Sequence, residues 1–455
     1  MIKSSPDSIK NTCKSKEVGI FLVTFSIPMK STFTRTVIHL KRKLTASLIG
    51  MSLLLPMTGC GTSTNQSSLQ ISEGVEFGEM DYETIVEPNN ELGFNLLKEI
   101  KTDDDGNLFI SPTSLMMASA MIYNGADGVT KKEIAKALQM EGINQMDLNK
   151  ANASFMTMLN KDSEAIQLQV ANSIWLNDQY KFQDGFANQS KDYFNAKIEE
   201  IDITNNDSSK QINDWVKKTT NGKIDKMVDG PLDDNLVAML LNAIYFKGDW
   251  TYPFDKKETD DKAFYLNDGT DKEVPFMKLQ ENLLYMANSE FQAIQLPYAD
   301  GEMSMTVILP NEGVGLDEFQ STLTNGKWEE IQSGMNSTRG TILLPKFKMS
   351  YETELNDALE ALGMVSAFSD NADFSKMVEG DASLFISKVK QKTYIDVNEE
   401  GTEAAAVTGI QMDTTSAPLD DPFVMEVNRP FFFAITDDET GTILFLGSVT
   451  NPETN

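Results

Sequence analysis

At 455 residues and 40% hydrophobic content the chain can bury a large core, and 68 Asp and Glu against 39 Lys and Arg leave a formal charge of −29. That balance argues against nucleic acid and heparin-like polyanions as partners and reads as an acidic, solvated surface. The only histidine is His39 and the only cysteines are Cys13 and Cys60; all three fall in or at the end of an N-terminal leader, which excludes Ser-His-Asp and Cys-His catalysis, histidine metal sites and a disulfide framework from the rest of the chain. No cofactor is expected.

The leader spans 1–59. Lys41-Arg42-Lys43, an apolar run over 44–57 and Thr58-Gly59-Cys60 resemble a bacterial lipoprotein signal. The run is short and broken by Thr45, Ser47, Gly50 and Ser52, which disfavours a spanning helix. Met57 stands where such signals prefer leucine. A second apolar patch over 18–28 is superfluous to a leader, so translation is expected to start at Met29, leaving Lys30, Arg35 and Lys41 to Lys43 as the charged front. On this reading Cys60 carries a diacylglycerol thioether, and two acyl chains suffice for stable anchoring. Residues 60–88 form the lipid anchor and a flexible tether rich in Ser, Thr, Asn, Gln and Glu. The expected location is extracytoplasmic, anchored at the cell surface or secreted after shedding.

Further along, Asn107-Leu108-Phe109-Ile110-Ser111-Pro112-Thr113-Ser114-Leu115 opens a helix: Ser111 and Ser114 flank its start and Pro112 is preset for its first turn. Tyr123-Asn124-Gly125-Ala126 lies within it. Ala171-Asn172-Ser173-Ile174-Trp175 reads as a strand, residues 213–224 as a helix closed by Gly222, and 240–250 as a long strand ending at Trp250. Val274-Pro275-Phe276-Met277 and Leu296-Pro297-Tyr298 precede a strand over 305–310, and Leu344-Pro345-Lys346-Phe347 follows. Residues 384–397 alternate in part between apolar and polar and predict a strand. Residues 429–435 and 443–452 are near-continuous apolar strands suited to a buried sheet.

Between the strand over 384–397 and that over 429–435 lies Glu399-Glu400-Gly401-Thr402-Glu403-Ala404-Ala405-Ala406-Val407-Thr408. Alone, such a run is a good helix former. Here it follows a strand, lacks a good cap and carries Gly401 near its start. Strand alternation puts Thr402, Ala404, Ala406, Thr408, Ile410 and Met412 on one face, and Glu403, Val407 and Gln411 on the other. One face is small to apolar and fit for burial.

In this order, from about residue 89 to 452, these motifs resemble the serpin family. The resemblance implies an α+β fold in one domain, 89–455, with a large central β-sheet, two further sheets, about eight to nine helices and an exposed reactive-centre loop at about 399–427. It further implies inhibition of serine proteases by suicide-substrate trapping, with no catalytic residue in the chain. Glu399 to Thr408 form the hinge, and after cleavage residues from Thr402 onward enter the sheet. Family spacing places the cut between Thr415 and Ser416, with Met412, Thr414 and Leu419 as alternatives because the loop runs a few residues longer than in short members. Ser111, Ser114, Asn242, Trp250 and Gln391 fall at the sheet opening. Serpins commonly carry histidine where Gln391 stands, bonded to asparagine across the opening; here the pair is Gln391 and Asn242. A glutamine amide can both donate and accept but does not titrate near neutrality.

The small β-branched Thr415 suits elastase-like or subtilisin-like enzymes, and no Lys or Arg occurs between Lys392 and Arg429 to serve a trypsin-like pocket. The expected partners are the target protease, as a covalent acyl complex, and a membrane through the anchor, with the protein itself a monomer. Two other readings stand beside this one. A non-inhibitory serpin would keep the fold as a surface binding or scaffold protein, although Thr402, Ala404 and Ala406 permit insertion. A surface enzyme using carboxylates would need a diagnostic pairing of Asp and Glu, and none occurs.

Overall fold

A computed structural model describes residues 71–160, 165–380, 384–402 and 422–453. In chain order the elements are α1 (Glu83–Glu99), β1 (Leu108–Ile110), α2 (Pro112–Gly125), α3 (Gly128–Ala137), α4 (Gln145–Leu159), β2 (Ile166–Asn177), α5 (Asp184–Phe194), β3 (Lys197–Ile201), α6 (Ser208–Thr219) and β4 (Ala238–Asp249). They continue with β5 (Asp260–Tyr265), β6 (Asp271–Ala287), β7 (Phe291–Tyr298), β8 (Met303–Pro310), α7 (Leu316–Ser321), α8 (Asn325–Gly334), β9 (Asn336–Pro345), β10 (Phe347–Glu354) and α9 (Asn356–Ala361). Then come β11 (Lys388–Val397), β12 (Gly401–Thr402), β13 (Phe423–Glu426), β14 (Phe431–Asp437) and β15 (Thr442–Val449). The fold is α+β, as expected.

The apolar runs of β8, β14 and β15 are buried at every residue and form the heart of a nine-stranded sheet, ordered β1-β15-β14-β8-β7-β6-β9-β13 with β5 paired to β6. Long β6 pairs with β5, then β9, then β7, so the two further sheets expected from the sequence run together. The central sheet has six strands in the order β10-β11-β12-β4-β2-β3. Between the sheets lies α2. Ser111 caps it by accepting from the Ser114 N–H at 3.1 Å, Pro112 begins it, and every residue of it is buried. A largely apolar helix buried on all sides belongs in such a core.

Three boundaries differ from the sequence reading. Helix α1 starts at Glu83 with Pro88 inside it, so the folded domain begins within the segment expected as tether. It is fastened there because Asn89 donates to the Ile443 carbonyl at 3.0 Å and Asn90 accepts the Ile443 N–H at 2.8 Å. Helix α6 spans Ser208–Thr219 rather than 213–224; Asn221 and Gly222 turn left-handed, and the Gly222 N–H closes back on the Lys217 carbonyl. Ile224 is buried beyond the helix end. Strand β11 starts at Lys388, although Leu384 and Ile386 upstream of it are buried.

A second, smaller apolar cluster lies on the outer face of the six-stranded sheet. Ile212 and Val216 of α6, with Ile224, Met227, Val228, Leu232 and Leu236 of the loop after it, pack on Ala171 and Trp175 of β2 and Met239, Leu241 and Ala243 of β4. Helix and loop therefore travel with β2 and β4.

Candidate functional site

Strands β4 and β11 are neighbours in the middle of the six-stranded sheet, and they run parallel. Their register runs from Lys388 opposite Met239 to Tyr394 opposite Tyr245, with Gln391 facing Asn242. Each is antiparallel to its other long neighbour, β2 or β10. Above Tyr394 the pair separates, and β12 fills the gap. Thr402 pairs antiparallel with Val397 on one side and with Gly248 on the other. A strand continuing β12 downward would replace one parallel contact with two antiparallel ones, which are slightly more stable per residue.

Midway down the seam is a buried polar network. The Gln391 amide donates to Asn242 Oδ1 at 2.7 Å and to the Ser111 carbonyl at 3.0 Å, while its oxygen accepts the Ser111 N–H at 3.0 Å. Asn242 in turn donates to Asn172 Oδ1 at 2.6 Å, to the Ser114 carbonyl at 3.2 Å and to the Ser114 hydroxyl. Ser111 Oγ donates to the Leu444 carbonyl at 2.7 Å, tying the network to β15. Ser111, Ser114, Asn172, Asn242 and Gln391 are all buried. With no imidazole among them, nothing here titrates near neutrality.

At the top of the seam residues 398–400 form the turn between β11 and β12. Gly401 fits because a Cβ there would run into the Gly248 carbonyl oxygen. The buried Glu399 carboxylate accepts from Lys346 Nζ and Thr259 Oγ1, both at 2.9 Å. Burial pushes this carboxyl up, but the bonds from Lys346, the backbone and Thr259 outweigh it and hold it below its ordinary value. Lys256 pairs with Glu400 at 2.5 Å on the exposed side. Trp250 donates from Nε1 to the Asn398 carbonyl and from its backbone N–H to the Glu400 carbonyl, each at 2.9 Å. Its ring stacks on Tyr298, with centroids 4.4 Å apart. The Tyr298 hydroxyl, fully buried, shares a 2.7 Å hydrogen bond with Thr402 Oγ1.

The structure thus gathers Ser111, Ser114, Asn242 and Gln391 at mid-seam, and Trp250, Glu399, Glu400, Gly401 and Thr402 at its top. One expectation needs correcting: Thr402 does not wait outside the sheet but already sits in it, drawn in by the Tyr298 bond and two backbone ladders. Glu403, Ala404, Ala405, Ala406, Val407, Thr408, Met412, Thr414, Thr415, Ser416, Leu419 and Cys60 lie outside the described residues. Sequence reasoning missed Asn172, Thr259, Tyr298 and Lys346 as parts of the site. Lys346 and Tyr298 sit in the Leu-Pro motifs already noted, yet their partners lie 53 and 104 residues away.

The sequence profile described as Serpin (serine protease inhibitor) matches residues 87–452. Human Serpin B3 is 32% identical over 391 residues, covering 81% of this chain and all of that protein. Among solved structures, the native state of the thermophilic serpin tengpin is 35% identical with a TM-score of 0.75, covering 84% of this chain and 96% of that one. Thyroxine-binding globulin in complex with thyroxine is 27% identical with a TM-score of 0.71, covering 81% and 99%.

Proposed function

Since the chain belongs to the serpin family, whose members are in general protease inhibitors, we propose that it inhibits serine proteases by being cut and then inserting the cut loop between β4 and β11. The observation that carries this reading is β12, a strand two residues long that is already antiparallel to both sides of a parallel seam. The serine oxygen of the protease attacks the Thr415 carbonyl carbon, the Thr415–Ser416 C–N bond breaks, the Ser416 amine leaves with a proton, and an ester joins the two proteins. The released segment then zips downward from Thr402. Antiparallel register from Thr402 opposite Gly248 would bring Met412, ten residues on, opposite Ala238 at the foot of β4.

Thr402 faces the buried side, toward Tyr298, so Ala404, Ala406, Thr408, Ile410 and Met412 would follow it inward and Glu403, Val407 and Gln411 would face out. Insertion carries the attached protease to the far end of the sheet and distorts it before water reaches the ester. Such strand insertion is an established switching mode. With Thr415 as bait, the targets are elastase-like or subtilisin-like enzymes. Cys60 holds the inhibitor at the cell surface through its lipid, and Cys60→Ser would release it without loss of inhibition.

The test is to mix the protein with elastase-like, subtilisin-like and trypsin-like proteases and look for denaturant-resistant complexes. Adducts with the first two, none with trypsin, and a released fragment starting at Ser416 are expected. A fragment starting at Asp413 or Asp420 moves the bait to Met412 or Leu419. No adduct with any protease would favour a non-inhibitory serpin acting as a surface binding or scaffold protein.

A further inference from the structure

A cleft of about 410 Å³ lies where the end of α2 meets the first turns of α3 and the loop leading to α4, a volume within the range of small-molecule sites. One wall is Tyr123, only 8% exposed, whose hydroxyl makes no hydrogen bond among the described residues. Burial pushes that phenol up, so it stays a neutral donor. Beside it, Lys131 Nζ sits 4.5 Å from the centroid of the Tyr123 ring and donates to Gln145 Oε1 at 2.7 Å. Gln145 is held in turn because its amide donates to Gln189 Oε1 on α5 at 3.1 Å. Residues of four helices thus fix one ammonium group at the cleft.

That ammonium has only uncharged partners. Lys131 is half-buried, and no carboxylate lies within ion-pair distance of it among the described residues. Asp127 is the acid that acts on it most, but its carboxylate caps α3 by accepting the Gly128 N–H at 2.9 Å and pairs with Lys376 at 3.6 Å. Burial holds Lys131 below its ordinary value against the Asp127 charge. A partly desolvated cation without a counter-charge is costly, and a chain of net charge −29 has carboxylates to spare for pairing it. Exposed Lys132 adds a second positive charge to the same wall, and the first turn of α3 presents the positive end of its helix there. Glu141 stands exposed, where water screens it. The Tyr123 ring and buried Ala135 supply apolar surface.

We propose that this cleft binds a small organic monoanion, a carboxylate on a short aromatic or apolar body, with the carboxylate held by Lys131 and the Tyr123 hydroxyl and the body against Ala135. No step of the bait-loop reaction uses these residues, so the proposal stands apart from insertion. A cationic ligand is disfavoured, because Lys131 already covers the ring that would receive it. A polyanion would meet the acidic surface as a whole, whereas a monoanion meets only the local ammonium groups. The bond from Lys131 is charge-assisted and that from Tyr123 is neutral, so their removal should cost unequally.

The probe is para-fluorobenzoate, titrated by fluorine NMR, with para-fluorobenzamide as its uncharged counterpart. In parallel, the lysine amines of the unaltered protein are labelled with a succinimidyl ester, with and without the probe, and read residue by residue by mass spectrometry. Expected are saturable binding of the carboxylate, binding of the amide weaker by about tenfold or more, and slowed labelling of Lys131 but not of exposed Lys98. Lys131→Met keeps most of the apolar stem and should weaken binding about tenfold or more, Tyr123→Phe about threefold, and Glu141→Gln should tighten it slightly. Labelling of the unaltered protein needs no variant, so a substitution that fails to fold leaves the test standing. No protection of Lys131, or undiminished binding by folded Lys131→Met, would overturn the site. Equal binding of the amide would overturn the anionic ligand, and displacement of the probe by inorganic phosphate as readily as by unlabelled benzoate would overturn the carboxylate class.

Discussion

Strands β8, β14 and β15 meet antiparallel, with every residue buried and aromatic rings interleaved, Phe109 stacking between Phe433 and Phe445 at 5.6 and 5.1 Å. Strands β4 and β11 meet parallel, and the side chains across their join include Asn242, Gln391 and Thr393, with lysines on the outer face. Both joins lie in the same domain, but they fail in different ways. Parting the first exposes apolar surface that nothing else can cover. Parting the second breaks backbone ladders and polar bonds, and an arriving strand can restore the ladders on both sides. The first join is sealed by hydrophobic area, and the second is held by hydrogen bonds that a new strand could remake.

The contrast can be broken from either end. Phe433→Ala removes a fully buried ring from the closed sheet and should cost about 3–5 kcal/mol of stability in denaturant unfolding. The fraction of still-folded protein that forms covalent complex should not change; if it does, the two joins are not independent. Thr402→Arg strikes the other join, placing a cation where Thr402 is wholly buried beside Tyr298. Desolvating that charge costs several kcal/mol, so the hinge should be expelled and the cut protein should be released as product, with the yield of complex falling by about tenfold or more. An unchanged yield would show that Thr402 does not lead insertion.

Gln391→Ala leaves the Ser111 N–H and Asn242 Oδ1 without their partner in a buried site, at about 1–3 kcal/mol each. Its melting temperature should drop by a similar amount at pH 6 and pH 8, because no group of the network titrates between them. A pH-dependent loss would point to a charge at mid-seam that the geometry does not contain. The smallest effect belongs to the hinge anchor. The Glu399 carboxyl is held below its ordinary value of 4.5, so its contribution is fully present above that pH and is lost as the pH falls through the depressed value. Acidification over that window should speed amide exchange at Gly401 and Thr402, and Lys346→Ala should do the same at neutral pH.

How much of this the sequence carried depends on the range of the interaction. The pairing of Gln391 with Asn242 was legible only through the resemblance to the serpin family, whose order of motifs sets the two strands side by side; nothing local to either residue points to the other. The inward face of Thr402 followed from strand alternation. The start of β11 was misplaced by four residues because Leu384 and Ile386 continue the alternating burial through irregular chain, where the Ile386 N–H bonds to Ala367 rather than to a ladder. Helix α6 was set late because its buried period runs on through Ile224 beyond the Gly222 turn. The Glu399–Lys346 pair, the Tyr298 bond and the bonds of Lys390 and Lys392 to the loop after α6 leave no local pattern at all. They exist only once strands distant in the chain lie side by side, and Lys390 in a strand otherwise reads as an ordinary solvated charge.

The central claim is that the six-stranded sheet is incomplete until the loop after Thr402 joins it. Thermal melts of the intact protein and of protein nicked between Gly409 and Leu419 test it most directly. The nicked form should stay folded well above the temperature at which the intact form melts, because two antiparallel ladders replace the parallel seam. Equal melting temperatures for nicked and intact protein would contradict it.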